Sequence, residues 1–404
     1  MIILENASIL DGSQDQALPA MSVIIEGRTI RDVTDRPVKL QGGTRLDLGG
    51  RTLMPGFIDA HVHLIASMAN LGANALLPDA LVALRAARLM AEMLGRGFTS
   101  VRDVGGATNG LRLAWQEGLM PGPRMTLSGK ALSQTGGHGD FTGRSDPRDP
   151  VPVGRQLGAL GRVVDGVDAV RRACREEIRA GADFIKIMAN GGVASPTDPI
   201  AFLGFCEAEI RAAVEEARMA QTYVAAHLYT DEAIARAVAC GVHSLEHCNL
   251  ITEETARLAA TAGCIAVPTL ITYEALNDEA AALGMGPESV AKIDDVRLAG
   301  MESLERMHRA GLPMAYGTDL LAGMHRRQSE EFAIRGRVLP AIEVIRSTTI
   351  HAARLLRQEG RIGCVAPGAW ADLVVVTGDP LADLSLLARP LDAIMQDGRW
   401  VKPL

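Results

Sequence analysis

The chain has 404 residues, of which 48% are hydrophobic, 22% charged and 3% aromatic, and its formal net charge is −7 at pH 7. These proportions describe a soluble globular protein with a large aliphatic core, and the negative balance without a long basic run argues against a phosphate-backbone binder. With so few aromatic rings to stack on bases, nucleic acid is not an expected partner.

The amino-terminal MIILENASILDG has no basic lead and meets Glu5 after four residues, so no signal peptide or membrane span is expected there. A cytoplasmic location without membrane association follows as an expectation. Residues 1–55 carry short alternating runs, IILENASIL, MSVIIEGRTI and TRLDLGGRTL, broken by Asp-Gly, Glu-Gly and Gly-Gly. That texture predicts small strands joined by turns, the first part of a small β domain. Over residues 56–355 apolar strands alternate with segments of helical period, the pattern of β/α units around a parallel sheet. The candidate strands are FIDAHVHL, FTSVRDV, RMTLSGKAL, DFIKIMAN, TYVAAHLY, HSLEHCNL, CIAVPTLIT and PMAYGTDLL. Eight such units close most economically as a (β/α)8 TIM barrel, an α/β fold whose chemistry sits at the carboxyl ends of its strands.

Between the strands, helices are predicted over 79–94, ended by Gly95 and Gly97, and over 166–180. In the second, Val167, Val170, Cys174 and Ile178 form one apolar stripe, Asp165 is the expected cap and Gly181 the stop. The Gly/Pro-rich stretch 133–154 follows the third strand and is long enough to be a lid. Residues 356–404, with WADLVVVTGDP and DAIMQDGRWV, return to strand texture and are expected to pair with 1–55 as a small β-sandwich split by the barrel. The six cysteines include no C-x-x-C pair, which implies reduced, apolar-flanked core residues and no disulfide framework.

Several polar residues interrupt these strands. His61 and His63 are two apart and point to one face, about 7 Å apart along the chain, where they can converge on an ion; the plainer alternative is a satisfied pair at a strand end. Asp59 shares that face and can orient one ring. Lys186 sits between Ile185 and Ile187, where a free ammonium costs several kcal/mol unless it is paired, neutralised or carbamylated. His227 and His247 stand at the carboxyl ends of the fifth and sixth strands, and Asp319 at the exit of the eighth. Each alone suits a structural role. Together they fall at one end of the proposed barrel, and imidazole with carboxylate suits zinc or a similar divalent ion.

The ordered set PGFIDAHVHL, FIKIMANGG, VAAHLY, SLEHC and YGTD resembles the amidohydrolase superfamily, and more narrowly its imidazolonepropionase-related branch of prolidases and Lys/Arg carboxypeptidases, over nearly the whole chain. The resemblance implies that His61, His63 and Asp319 hold one divalent metal, His227 and His247 a second, with carbamylated Lys186 as the bridge, and that the protein is a homo-oligomer. It implies zinc as the metal. It also implies a hydroxide shared by the two ions that attacks an amide carbonyl, with Asp319 carrying the proton to the leaving amine.

The substrate expected on this basis is a dipeptide or N-acyl amino acid, foremost an Xaa-Pro dipeptide. His138 in the long third loop and Tyr229, on the face of His227, are candidate substrate contacts. Arg102, Arg144, His325 and Arg326 are candidate cations for a substrate carboxylate. His243, His308, His351 and Trp370 read as structural. The rival readings are a Lys/Arg carboxypeptidase, a ring deaminase, disfavoured because LYTDE after His227 lacks a closely placed glutamate, and a scaffold without catalysis.

Overall fold

In the computed structural model, which describes residues 1–40, 42–147 and 149–404, the two chain ends form a single sheet. Its amino-terminal strands are β1 (Ile2–Ile9), β2 (Leu18–Glu26), β3 (Thr29–Thr34), β4 (Thr44–Asp47) and β5 (Thr52–Pro55). The central region supplies β6 (Phe57–Val62), β7 (Phe98–Asp103), β8 (Arg124–Leu127), β9 (Ala131–Ser133), β10 (Gly161–Val163), β11 (Ile185–Met188), β12 (Val224–Thr230), β13 (Ser244–Leu250) and β14 (Ile265–Val267). The last three are β15 (Leu373–Val376), β16 (Ala393–Gln396) and β17 (Arg399–Lys402).

The terminal sheet runs β17-β16-β15-β5-β1-β2-β3, with β4 also paired to β1. The join between the ends is the antiparallel pairing of β15 with β5, from Leu373 opposite Pro55 to Val376 opposite Thr52. Side-chain alternation makes β15 serve two cores at once. Leu373 and Val375 pack with Leu4, Val23 and Leu53, whereas Val374 and Val376 join the large cluster of the central region. All four residues of β15 are buried, so an apolar run without alternation is what both faces require.

The central strands are parallel and fall into sheets β6-β7-β8 and β10-β9-β11-β12-β13-β14. The sheets meet where Asp183 N donates to Leu127 O at 2.7 Å, just ahead of β11. The third expected strand is split into β8 and β9, because the chain turns through Gly129 at φ +68°. β10 was not expected and pairs in parallel with β9.

The eighth expected strand, 313–321, forms no named strand. It makes a parallel bridge from Met314 to Ala266, and its backbone joins both neighbours, Ala315 N donating to Ala266 O at 2.8 Å and Ala60 N to Tyr316 O at 2.7 Å. The reason is local. A Cβ on Gly317 would lie 2.6 Å from Val267 and 2.9 Å from His61, so the segment crosses too close for a longer ladder, and Asp319 then turns it away at φ +52°.

The predicted helices form over Asp79–Gly95 and Val167–Arg179. In the second, Val170 and Cys174 are buried as expected, but Gly166 occupies the cap at φ +85° and Asp165 does not cap. Its carboxylate instead accepts from Thr135 N and Thr135 Oγ1, at 2.9 and 2.7 Å, tying down the long loop after β9. That loop is further stitched by Asp140, which accepts from Gly136 N and from Thr142 N and Oγ1. No helix is long and apolar enough to cross a membrane among the described residues.

Candidate metal centre

His61 lies inside β6 and His63 one residue past its end, and the exit of the 313–319 segment brings Asp319 against both. Asp319 Oδ1 is 3.4 Å from His61 Nε2 and 3.2 Å from His63 Nε2. In each ring the other nitrogen is already engaged. His61 Nδ1 meets Glu246 Oε2 at 2.8 Å, and His63 Nδ1 meets Gly105 O at 2.9 Å. A ring that donates through Nδ1 presents a bare Nε2, the state a metal ligand requires.

The same logic holds on the neighbouring strands. His247 Nδ1 is 2.8 Å from Thr269 Oγ1, which leaves its Nε2 free, and His227 uses Nε2 on Gly191 O at 3.1 Å, which leaves its Nδ1. The rings of His61 and His247 are 4.8 Å apart and those of His227 and His247 4.6 Å. Donor atoms of His61, His247 and Asp319 all lie within 4.8 Å of one another. Both His247, at φ +70°, and Asp319, at φ +52°, sit in the left-handed region, a backbone cost of order 1–3 kcal/mol each that aims their side chains into one pocket.

That pocket, about 530 Å³ with its open mouth included, is lined by His61, His63, Lys186, His227, His247 and Asp319 together with His138 and Tyr229. Lys186 is 1% exposed and lines the pocket. Burial pushes its amine down to about 8, against the pull of Glu246 and Asp319. Burial likewise holds His227 and His247 well below the ordinary imidazole value, so both stay neutral at pH 7. Burial alone would raise the Asp319 carboxyl, but His61 and His63 hold it well below the usual range.

His138 is buried, not solvent-facing, and stacks on His227 at 4.1 Å between ring centroids. Its Nδ1 is 2.8 Å from Ser195 Oγ, and Ser195 Oγ in turn donates to Asp198. Burial, reinforced by Lys292, pushes His138 down to about 3. Tyr229 receives a hydrogen bond from Tyr273 OH at 3.1 Å.

The four candidate cations for a carboxylate lie outside the pocket lining. Arg102 is fully buried and spends its guanidinium on Ala60 O, Ser244 Oγ and both oxygens of Glu246. Arg326 pairs with Glu279 at 2.8 Å, Arg144 is exposed and reaches Thr197 O at 3.3 Å, and His325 is buried. Asp59 does not orient a histidine ring as expected: it accepts from His61 N, Thr318 Oγ1 and Gln328 Nε2, so it braces the backbone of His61 and Asp319. The ring of His61 is oriented by Glu246, which the sequence reading passed over. Its signal was present, since a glutamate inside SLEH and an arginine inside SVRD are charges in apolar strands that must find a partner.

The donor set tests well against a metal. Imidazoles with one nitrogen engaged and the other left for a ligand, a carboxylate among them and a buried amine make a nitrogen and oxygen cage suited to zinc or a similar divalent ion.

Comparison with known proteins agrees with this geometry. Residues 52–401 match the profile of the amidohydrolase family, and the chain belongs to that family, whose members are generally metal-dependent hydrolases of small molecules. A crystal structure of a prolidase complexed with N-methylphosphonate-L-proline is 51% identical, with a TM-score of 0.98 and all of both chains covered. A Xaa-Pro dipeptidase with bound methionine in its active site is 29% identical, with a TM-score of 0.90 and full coverage of both chains. Ochratoxinase from Aspergillus niger is 30% identical over 419 residues, covering 95% of this chain and 83% of that protein.

Proposed function

We propose that this protein is a binuclear metal-dependent amidohydrolase that cleaves the amide bond of dipeptides, with Xaa-Pro dipeptides its principal substrates. The observation that carries the reading is the convergence of His61, His63, Lys186, His227, His247 and Asp319 on one pocket at the carboxyl ends of the parallel strands. The choice of proline rests on the full-length likeness to the prolidase. In this reading residues 56–355 are a closed (β/α)8 barrel, a closure supported by the hydrogen bonds of Ala315 to Ala266 and of Ala60 to Tyr316. Residues 1–55 and 356–404 are its accessory β domain, whose sheet folds over its own apolar cluster as a sandwich.

His61, His63 and Asp319 would hold one ion, His227 and His247 the other, with Lys186 as a carbamate between them. Zinc ions held there would supply polarisation of the scissile carbonyl and a lowered pKa for a water. Asp319 takes the proton of the attacking water and passes it to the amide nitrogen as the C–N bond breaks. Tyr229 accepts from Tyr273, so its own proton is directed at the substrate. His138 donates through Nδ1 to Ser195, which is committed to Asp198, so its Nε2 is an acceptor and faces the amino end of the substrate rather than its carboxylate.

Among the described lining residues Asp319 is the sole carboxylate, so a Lys or Arg side chain would find no acceptor of its own, which disfavours the basic-residue carboxypeptidase. The test is removal of the metal and restoration with zinc while a dipeptide panel is followed by amino-acid analysis. Loss and recovery of proline release supports the reading. Activity that survives complete metal removal, or ammonia released without a free amino acid, overturns it.

A further inference from the structure

Phe141 lies three residues beyond His138 on the loop after β9, and it borders two cavities. One is the pocket of the candidate metal centre; the other is a separate, partly open chamber, about 450 Å³ when the solvent-filled mouth is included. Leu160 faces the first and its neighbours Ala159 and Gly161 the second, so Phe141 and the 159–161 backbone form the wall between them. The wall is set by close packing. A Cβ on Gly72 would stand 3.1 Å from Phe141 O and 3.6 Å from Phe141 Cβ, so glycine lets the loop lie against the helix Leu71–Ala75.

The chamber presents Ala75, Leu76, Val153 and Val163, and the two charged residues at its edge are already spent. Arg162 is paired with Glu176 at 2.6 Å and with Glu177 at 3.1 Å. Both oxygens of Asp140 accept hydrogen bonds from Gly136 and Thr142. No unpaired charge therefore selects a polar ligand, and an apolar one is favoured in proportion to the area it buries. Leu76 is 47% exposed, so one side of the chamber reaches solvent.

We propose that this chamber is a second subsite, for the apolar acyl end of substrates too long for the metal pocket, and that Phe141 is the partition that restricts entry to it. The proposal rests on the amide-hydrolase reading above. It follows from the placement of the loop: His138 faces the amino or acyl end of the substrate, and Phe141 on the same loop opens directly behind it. Tyr229 and Tyr273 line the metal pocket and not the chamber. For an N-acyl-proline, water adds its oxygen to the acyl carbon, the C–N bond breaks, and both protons of the water end on the proline nitrogen, so a carboxylate and zwitterionic proline are released.

The test uses the zinc-loaded protein with N-acetyl-, N-butanoyl-, N-hexanoyl- and N-octanoyl-L-proline, compared in the wild type, Phe141→Ala, and Phe141→Ala combined with Val153→Trp to fill the chamber. The quantity read is the ratio of kcat/KM for octanoyl to acetyl. Burial of each added methylene is worth roughly fourfold at most, and Phe141→Ala is expected to raise the ratio by at least about tenfold, with Val153→Trp reversing the gain. A ratio that neither substitution moves overturns the proposal.

If no N-acyl-proline is hydrolysed by any variant, the activity reading fails for these substrates, and the chamber is judged by calorimetric binding of the same compounds. Affinity for Phe141→Ala that rises with chain length, and that Val153→Trp abolishes, supports the subsite. Affinity independent of chain length overturns it.

Discussion

Among the described residues two arginine–glutamate pairs are fully buried, and they behave in opposite ways. Glu246, on β13 beside the candidate metal centre, takes Arg102 Nη2 on both oxygens at 2.7 and 2.8 Å, and also Ser244 Oγ and His61 Nδ1. Glu331 takes one Arg335 nitrogen, at 2.8 Å, and Ile271 N at 2.7 Å, while Arg335 Nη1 has no partner among the described residues. Burial alone would raise both carboxyls. Arg102 and His61 overturn that for Glu246 and hold it well below the usual range, whereas Glu331 is pushed up to about 7. The number of donors decides which glutamate keeps its charge. The fully donated one orients the ring of His61; the other holds the start of the helix Leu270–Glu279, which carries Tyr273 into the pocket.

Removing the first pair should give the largest effect. Glu246→Ala leaves Arg102 buried without a counter-charge and His61 without its partner. We expect a loss of about 3–5 kcal/mol in unfolding free energy and a fall of roughly 10- to 100-fold in zinc affinity, read by denaturant titration and by competition with a chelator. An unchanged zinc affinity would show that Glu246 does not orient His61. Arg102→Lys should do the same to a smaller degree, about 2–3 kcal/mol, because an ammonium cannot serve Glu246, Ser244 and Ala60 together as the guanidinium does.

The second pair is tested by pH. Glu331 has a folded value near 7 against 4.5 for the free carboxyl, so between those values the folded state binds more protons than the unfolded chain. Its contribution to stability is therefore lost as pH rises from 4.5 to 7, by up to about 3 kcal/mol, and is level above that range. Glu331→Gln should remove this slope, so its stability relative to the wild type improves from pH 5 to pH 8. Glu246 has a depressed value, and its contribution is complete above 4.5 and lost only as pH falls below it. For Glu246→Gln the difference from the wild type should thus be level from pH 5 to 8. Parallel slopes for the two variants would refute the contrast drawn between the pairs.

The pairs also mark how far the residues can be read in linear order. His61, His63, Lys186, His227, His247 and Asp319 were visible because each breaks an apolar strand near its carboxyl end, and strand alternation says which way such a residue points. Arg102 was visible as a charge but not as the partner of Glu246, because a pairing across 144 positions is made by strand order and not by local spacing. Asp59 was misassigned for a similar reason, since its partners Thr318 and Gln328 arrive from the opposite end of the chain. The shortened eighth segment depends on the approach of Gly317 to His61 and Val267, a tertiary distance without a sequence signal. The chamber behind Phe141 is invisible in sequence because it is the space left between a loop, a short helix and β10.

The finest test of the contrast lies at the far end of the second pair. Tyr273 OH donates to Tyr229 OH at 3.1 Å, and burial raises both phenols, so both remain protonated through neutral pH. Tyr273→Phe keeps the ring and its packing and deletes only that donor. Tyr229 can then rotate, and its proton is no longer committed to the substrate side. A neutral hydrogen bond of this kind is worth about 0.5–1.5 kcal/mol, so KM for an Xaa-Pro dipeptide should rise about 2- to 10-fold with kcat within about twofold. A fall in kcat at constant KM would instead place the tyrosine pair in the bond-breaking step, acting on the transition state rather than on bound substrate.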